Sequence, residues 1–221
     1  AQGGQALGVL VDGPRDMPAR QRTLRNTLAW SYSLLNAAEQ RLLRALGIFV
    51  DGAAPAQLAQ VYQSVWPGGD SHDGLTSIEP LLQSLRDKHL VLWDAEPAGH
   101  ERYRQLVLIR EFALDLLAQP AQRQEWTALR NAHARAYADL AGDSLEGLYD
   151  AAGRWLAAEL QLNYGNVHTA LEWSFGDGEK PIGCRLVGGL VKFWGWQPRY
   201  NHHGRRWTEL ARQTLSEDMP I

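Results

Sequence analysis

The residues whose chemistry could support catalysis or metal binding are few and lie far apart in the sequence. Cys184, the only cysteine, has apolar neighbours and Arg185 as its nearest charge, a setting typical of a buried structural thiol. Asp70, His72 and Asp73 share a glycine-rich stretch, but a closed structural zinc site takes four ligands, and we expect a solvated loop there. No metal site and no catalytic residue is predicted.

The common motifs of enzymes and nucleotide-binding proteins are also absent from the sequence. It contains no Gly-x-Ser-x-Gly elbow, which would expose a nucleophilic serine. It contains no Gly-x-x-x-x-Gly-Lys-Ser/Thr loop, whose backbone N–H groups would surround a phosphate. The sequence therefore predicts a non-catalytic chain that binds no cofactor of its own.

Four arginines near the N-terminus form the most prominent basic cluster: Arg15, Arg20, Arg22 and Arg25. They could contact an acidic surface of a neighbouring domain, or a nucleotide bound there. The alternative is a solvated linker, in which exposed ion pairs contribute little to stability. We favour the linker for the isolated chain and keep the interdomain contact open.

Aromatic residues crowd the C-terminal region, where Trp194, Trp196, Tyr200 and Trp207 follow one another closely. On the concave face of a helical array they could line a groove for a partner or effector. They could also fill the space between helices, because aromatic rings pack well in cores, or belong to a face that a further helical repeat covers. Core packing is the interpretation we prefer.

The overall composition fits a folded protein without a strong charge bias. Hydrophobic residues make up 45% of the 221 residues, and 22 basic against 25 acidic residues give a net charge of −3. Nucleic-acid-binding domains usually carry a basic excess, so nucleic acid is not the expected partner. With one cysteine, no apolar run of membrane-spanning length and no signal peptide, we expect a cytoplasmic location. The first residue is not Met, and we expect the sequence to begin inside a longer protein.

The periodicity of apolar residues predicts a mainly α-helical chain in three parts. Residues 1–22 read as a linker or the tail of a preceding domain. Residues 23–119 begin with helical patterns, including an Asn36-Ala-Ala-Glu39 capping box. Two short β-prone stretches at 90–94 and 101–104 and a closing helix follow. This order of elements is that of a winged-helix domain with a small β wing. Residues 120–221 carry only helical patterns, as in a helical-repeat domain similar to tetratricopeptide repeats, with helices predicted at 121–141, 145–162, 164–175, 180–196 and 202–216.

Several short stretches also resemble a known family, in order and spacing: the segment from Gly13 to Leu35, Glu39-Gln-Arg-Leu-Leu-Arg-Ala-Leu-Gly-Ile-Phe49, Arg102-Tyr-Arg104, Ile109-Arg-Glu-Phe-Ala113, Trp155-Leu-Ala-Ala-Glu159 and Asn163-Tyr-Gly-Asn166. Together they are similar to the segment that follows the NB-ARC-like nucleotide-binding core in bacterial STAND-type regulatory ATPases, a group that includes large transcriptional regulators. The resemblance implies that the winged helix packs on an upstream nucleotide-binding domain of the same chain. It also implies that the helical arm senses a protein or small-molecule effector, and that ATP or ADP would bind in the parent protein.

One departure from that family bears on nucleotide sensing. The positions of its Met-His-Asp-type motif correspond to Gln105, Leu106 and Val107 here. Neither Leu106 nor Val107 can bond a phosphate, so direct contact of this segment with a nucleotide is not expected.

A DNA-binding winged helix with a helical effector or dimerisation domain is the alternative function. The helix predicted over 78–88 would then be the recognition element. Its charged residues, Glu79, Arg86, Asp87 and Lys88, cancel, whereas phosphate contacts require a surplus of Lys and Arg. We therefore place this alternative second to a regulatory and protein-interaction segment.

Overall fold

The computed structural model describes residues 19–68, 77–95, 101–143 and 151–218. This part of the chain is mainly helical and contains one small two-stranded sheet, which confirms the predicted fold class at that level. The N-terminal elements are α1 (Ala19–Ser33), α2 (Ala37–Gly47), α3 (Pro55–Val65), α4 (Glu79–Asp87), β1 (Leu92–Ala95), β2 (Glu101–Arg104) and α5 (Val107–Leu117). A 3₁₀ turn at Pro120–Gln122 leads into α6 (Arg123–Asp143), α7 (Ala151–Leu162), α8 (Tyr164–Phe175), α9 (Lys180–Trp196) and α10 (Asn201–Asp218).

The start of α2 is set by its capping box, as predicted. The side chain of Asn36 accepts a hydrogen bond from the Glu39 N–H at 2.9 Å, and the Glu39 carboxylate accepts one from the Asn36 N–H at 3.0 Å. Two N–H groups that the helix leaves without partners are thereby satisfied.

The first helix starts earlier than the sequence pattern indicated. We expected residues 1–22 to be a linker and the helical patterns to start at residue 23, but α1 already begins at Ala19. The residues Ala-Arg-Gln-Arg favour helix, so the helix extends backwards past Thr23. The long helix α6 also differs from its prediction. We expected it to end at residue 141, whereas it continues through Gly142 and Asp143.

The β-hairpin is attached to the loop between α2 and α3. Strands β1 and β2 pair antiparallel, with Leu92 opposite Arg104 and Ala95 opposite Glu101. On its other side β2 exchanges two hydrogen bonds with Ala53, at 2.9 and 2.8 Å, through Tyr103. The first strand begins two residues later than predicted, because Leu90 instead closes the end of α4 by donating its N–H to the Leu85 carbonyl at 2.9 Å, with His89 in the left-handed region at φ 57°.

Within the described residues, beside a small cluster of Ala29, Phe112 and Leu116, a large apolar core runs from Leu35 near the N-terminus to Ala211 in α10. It crosses residue 120, the predicted domain boundary, because α3 packs against α6 while α6 also packs against α8 and α9. The α6–α9 contact is close: a Cβ built on Gly189 would lie 2.7 Å from the carbonyl carbon of Ala141. The two predicted parts of the chain thus share one hydrophobic interior, and the polar groups buried at their junction have to be satisfied within it.

Candidate coupling site

The centre of the junction is the buried guanidinium of Arg102, on strand β2. Arg102 is 1% exposed. Its Nε donates to the carbonyl oxygen of Asp51 at 3.1 Å, and its Nη2 donates to the carbonyl oxygen of Gly52 at 2.9 Å. Gly52 has a φ of +74°, and a Cβ there would lie 2.6 Å from Cγ of Arg104, so this turn requires glycine. Arg102 therefore fixes the hairpin to the loop that follows α2.

The same guanidinium also contacts the helices that follow residue 120, here called the helical arm. Nη2 also donates to Oδ1 of Asn163 at 3.0 Å, and Nη1 lies 3.8 Å from the carboxylate of Glu159. Oδ1 of Asn163 accepts a further hydrogen bond from the Tyr137 hydroxyl at 2.7 Å, and Nδ2 donates to the Glu159 carboxylate at 2.6 Å. Arg102, Asn163 and Glu159 are all buried. The network places a carboxylate near the buried positive charge, as a low-dielectric interior demands.

A second set of contacts closes the loop against the start of α8. The side chain of Asn166 accepts from the Val50 N–H at 2.7 Å and donates to the Gly52 carbonyl at 2.9 Å. Asp51 accepts from the Gly165 N–H at 2.7 Å, and a Cβ on Gly165 would lie 2.5 Å from that carboxylate oxygen. The loop 50–52 and the helix junction 163–166 are thus held together by complementary donors and acceptors.

The titratable groups around this network are neutral by burial. Burial raises the pKa of the Tyr137 hydroxyl far above its usual range. His133 lies edge-on to Phe49 and tilted against Tyr137, with ring centroids 4.8 Å from each, and its pKa is lowered to about 3, first by burial and then by the charge of Arg130. An uncharged imidazole and an uncharged phenol therefore fill the core beside the Arg102–Glu159 pair at neutral pH.

The predicted basic cluster is only partly visible. Arg15 lies outside the described residues, and Arg20 and Arg22 belong to α1, although their side chains are outside what the structure describes. Arg25 contacts Asp115 of α5 at 2.5 Å. The one described member of the cluster thus anchors α1 to α5 within the chain itself, and its contact with a neighbouring domain stays a prediction.

The four C-terminal aromatic residues do not share one exposed surface. Trp194 and Trp207 are each 3% exposed, and Trp194 packs on the backbone of α10, where a Cβ on Gly204 would lie 2.8 Å from its ring. Tyr200 stacks on Tyr164 with ring centroids 3.8 Å apart, whereas Trp196 is half exposed. Core packing, the preferred interpretation, describes Trp194 and Trp207, and a groove lined by all four residues is not formed.

The remaining sequence candidates lie partly within the described residues. Gln105 donates to the Leu43 carbonyl at 2.8 Å, while Leu106 and Val107 are exposed at the start of α5. Cys184 is half buried. The loop with Asp70, His72 and Asp73 lies outside the described residues, and within the described ranges no three His, Cys, Asp or Glu side chains gather as metal ligands. No helix of the described part combines the length and apolar character needed to cross a membrane.

The residues of the junction were not singled out as functional by sequence reasoning. Arg102, Glu159, Asn163 and Asn166 were nevertheless all contained in the stretches that carry the family resemblance. Their signal was polarity in an otherwise apolar pattern: Asn163 alone separates α7 from α8. Such a residue could equally have been an exposed cap, and only the fold shows that it is buried.

Comparisons with known proteins point to transcriptional regulators. The chain is 30% identical over 186 residues to provisionally named HTH-type transcriptional regulators of Mycobacterium bovis and Mycobacterium tuberculosis. The similarity covers 84% of this chain but 20% of each relative, so the chain spans about a fifth of their length. No protein-family model and no solved structure matches it. The chain is thus similar to one part of a large regulator.

The substitution Asn163→Ala should strongly destabilise the protein. It removes the acceptor for Arg102 and Tyr137 and the donor to Glu159, leaving buried polar groups unsatisfied at a cost of about 3 kcal/mol or more. Urea denaturation measures the free energy of unfolding. Asn26→Ala on the exposed face of α1 is the matched control and should change it by less than about 0.5 kcal/mol. An equal effect of the two substitutions would show that the network adds nothing to stability.

His133 should make the protein less stable in mild acid. Its folded pKa of about 3 lies below the ordinary value of 6.5, so the unfolded chain binds the proton more readily. The contribution of neutral His133 to the free energy of unfolding is complete above pH 6.5 and is lost as the pH falls towards 3. The free energy of unfolding should drop by about 2–3 kcal/mol between about pH 6.5 and 4.5.

Urea denaturation of the His133→Leu variant at several pH values isolates the contribution of His133 to the pH dependence of stability. The variant should lose that part of the pH dependence, whereas His202→Gln, at an exposed position of α10, should keep it. Identical pH profiles for the wild type and His133→Leu would mean that His133 does not titrate differently in the two states.

Proposed function

We propose that this chain is a non-catalytic regulatory segment of a transcription regulator of the STAND type. In this proposal a winged-helix-like domain (23–119) and a helical-repeat domain similar to tetratricopeptide repeats (120–221) act together, the first docking on an upstream nucleotide-binding domain and the second binding a protein or small-molecule effector. The relatives named as transcriptional regulators and the resemblance described above support this role. The resemblance implies that ATP or ADP would bind the parent's nucleotide-binding domain; this sequence itself has no Gly-x-x-x-x-Gly-Lys-Ser/Thr loop.

The observation that carries the proposal is the buried junction around Arg102. A signal from an effector can reach a docking surface only if the elements between them respond together. Arg102 bonds the Asp51–Gly52 loop on one side and Asn163 on the other. Displacing the helical arm relative to the hairpin would therefore expose or strand a buried charge, which makes independent motion of the two parts costly.

Exposed apolar side chains on the N-terminal helices supply a docking surface in this account. Trp30 in α1 and Leu34, the residue that follows the helix, are 63% and 62% exposed and lie four residues apart. Val107, at the start of α5, is also strongly exposed. Large exposed aromatic and aliphatic side chains are the kind that anchor protein interfaces, which agrees with docking through this part of the chain.

DNA binding by the winged-helix-like part is the second candidate. The HTH designation of the relatives favours it at least as well, although that name describes proteins of which the matched region is 20%. The charges around α4 favour it less. Lys88 contacts Glu39 at 2.5 Å, Arg104 lies 3.3 Å from Asp94, and Arg86 stacks on the Trp93 ring at 5.2 Å. These cations are already engaged within the chain.

Fluorescence anisotropy with random duplex DNA separates the two candidates. The regulatory proposal predicts no micromolar binding at low ionic strength, because the chain has no basic excess to replace the counterions of DNA. Micromolar binding that collapses with added salt would make the chain a DNA-binding module. In that case Arg86→Gln should weaken binding, while Arg212→Gln on α10, paired with Glu209, should not.

A further inference from the structure

A pocket opens at the corner where α5 turns into α6. It has a volume of about 650 Å³ and is lined by Leu117, Ala118, Gln119, Pro120, Arg123 and Trp126. A second depression of about 700 Å³ adjoins it and shares Pro120 and Arg123. The size is that of small-molecule sites, and the combination of an apolar wall with a few polar groups is typical of them.

Arg123 lines this corner pocket, and Arg130 lies over the ring of Trp126, which forms the aromatic wall. Arg123, Trp126 and Arg130 are spaced by three and four residues along α6, so they share one face of the helix. Cζ of Arg130 lies 4.3 Å from the centroid of the Trp126 ring. The Trp126 indole also packs edge-on against Trp173, with ring centroids 6.4 Å apart. Contacts with Arg130 and Trp173 thus fix the Trp126 ring, and Arg123 lines the pocket beside it.

Neither cation is neutralised by the chain as described. Among the described residues, Arg123 and Arg130 have no carboxylate oxygen within 4 Å, unlike seven arginines elsewhere: Arg25, Arg44, Arg102, Arg104, Arg135, Arg185 and Arg212. Nε of Arg130 is buried and has no hydrogen-bond partner there. A buried donor without an acceptor is costly, and a bound acceptor would relieve that cost.

A third arginine, Arg110, adds positive charge near Arg130. Arg110 of α5 donates its Nε to the Phe49 carbonyl at 3.0 Å. Burial, and after it the charge of Arg110, lowers the pKa of Arg130, and Glu172 opposes this shift only in part. Glu172 also lies 3.6 Å from His168, and Asp51, near Arg110, accepts from Gly165. Glu172 and Asp51 thus have other partners, while the charge of Glu111 acts on Arg110.

We propose that the corner pocket binds a small organic anion, with a flat apolar body against Trp126 and Leu117 and a carboxylate or phosphate group held by Arg123 and Arg130. The planar guanidinium fork matches both oxyanions with two parallel hydrogen bonds. This site lies apart from the Arg102 junction and does not depend on the coupling role, so it would stand even if the winged-helix-like part bound DNA.

Isothermal titration of the 221-residue chain with three matched probes tests the site. The probes are 1-naphthoate, 1-naphthyl phosphate and the neutral 1-naphthamide, which share one aromatic body. We expect at least one anion to bind with a Kd below about 1 mM and the amide to bind at least about tenfold more weakly. The comparison of the two anions identifies which oxyanion the arginines prefer.

Matched variants locate the binding. Arg123→Gln and Arg130→Gln should each weaken anion binding by about tenfold or more, and Arg130→Lys should weaken it as well because the charge stays but the fork is lost. Arg135→Gln, on the same helix but paired with Glu179, should leave it unchanged. Circular dichroism checks folding; Arg123 is exposed, so that variant remains informative if Arg130 variants unfold.

Three results would overturn the proposal. They are no binding of either anion, equal affinity for the neutral amide, or anion binding that persists in Arg123→Gln. The last result would mean that the probes bind at another basic surface of the protein.

Discussion

The structure depends on one buried positive charge. Arg102 is almost fully excluded from solvent, and a guanidinium cannot lose its proton to escape the cost of burial. It must therefore lie among acceptors and a counter-charge: the carbonyl groups of Asp51 and Gly52 and the amide oxygen of Asn163 accept its hydrogen bonds, and the carboxylate of Glu159 lies 3.8 Å from Nη1. Because these acceptors come from the α2–α3 loop and from the junction of α7 and α8, satisfying one side chain fixes the hairpin, the loop and the helical arm relative to one another.

The surrounding contacts repeat this arrangement with uncharged groups. Asn166 accepts a hydrogen bond from the Val50 N–H and donates one to the Gly52 carbonyl, and Asp51 accepts one from the Gly165 N–H. Apolar packing alone tolerates small shifts between helices, whereas a set of directional bonds accepts one register. For a regulatory segment this matters, because an arm with a single docked position passes a displacement to its neighbours, while a loosely attached arm absorbs it.

The sequence predicted the elements better than their junction. Helical periodicity and the capping box at Asn36 located most helices, since these signals are local. The predicted start of the first helix at residue 23 and the predicted end of α6 at residue 141 were wrong. Intrinsic helix preference and packing outweighed the breaks that were expected there. The partners of Arg102 could not be predicted, since Asp51, Arg102 and Asn163 are more than fifty residues apart from one another and no local pattern pairs them. The aromatic residues illustrate the same limit: only the fold separates Trp194, which is buried, from Trp196, which is exposed.

Native-state hydrogen exchange in increasing urea tests the central claim most directly, namely that the two parts of the chain form one cooperative unit. Slowly exchanging amides in the middle of α3, before residue 120, and of α8, after it, report opening on each side of the junction. The account predicts that both sets exchange through the same global unfolding, with equal free energies and equal dependence on urea. Exchange of α8 amides through an opening of distinctly lower free energy, while α3 remains protected, would contradict it and would make the helical arm an independent domain.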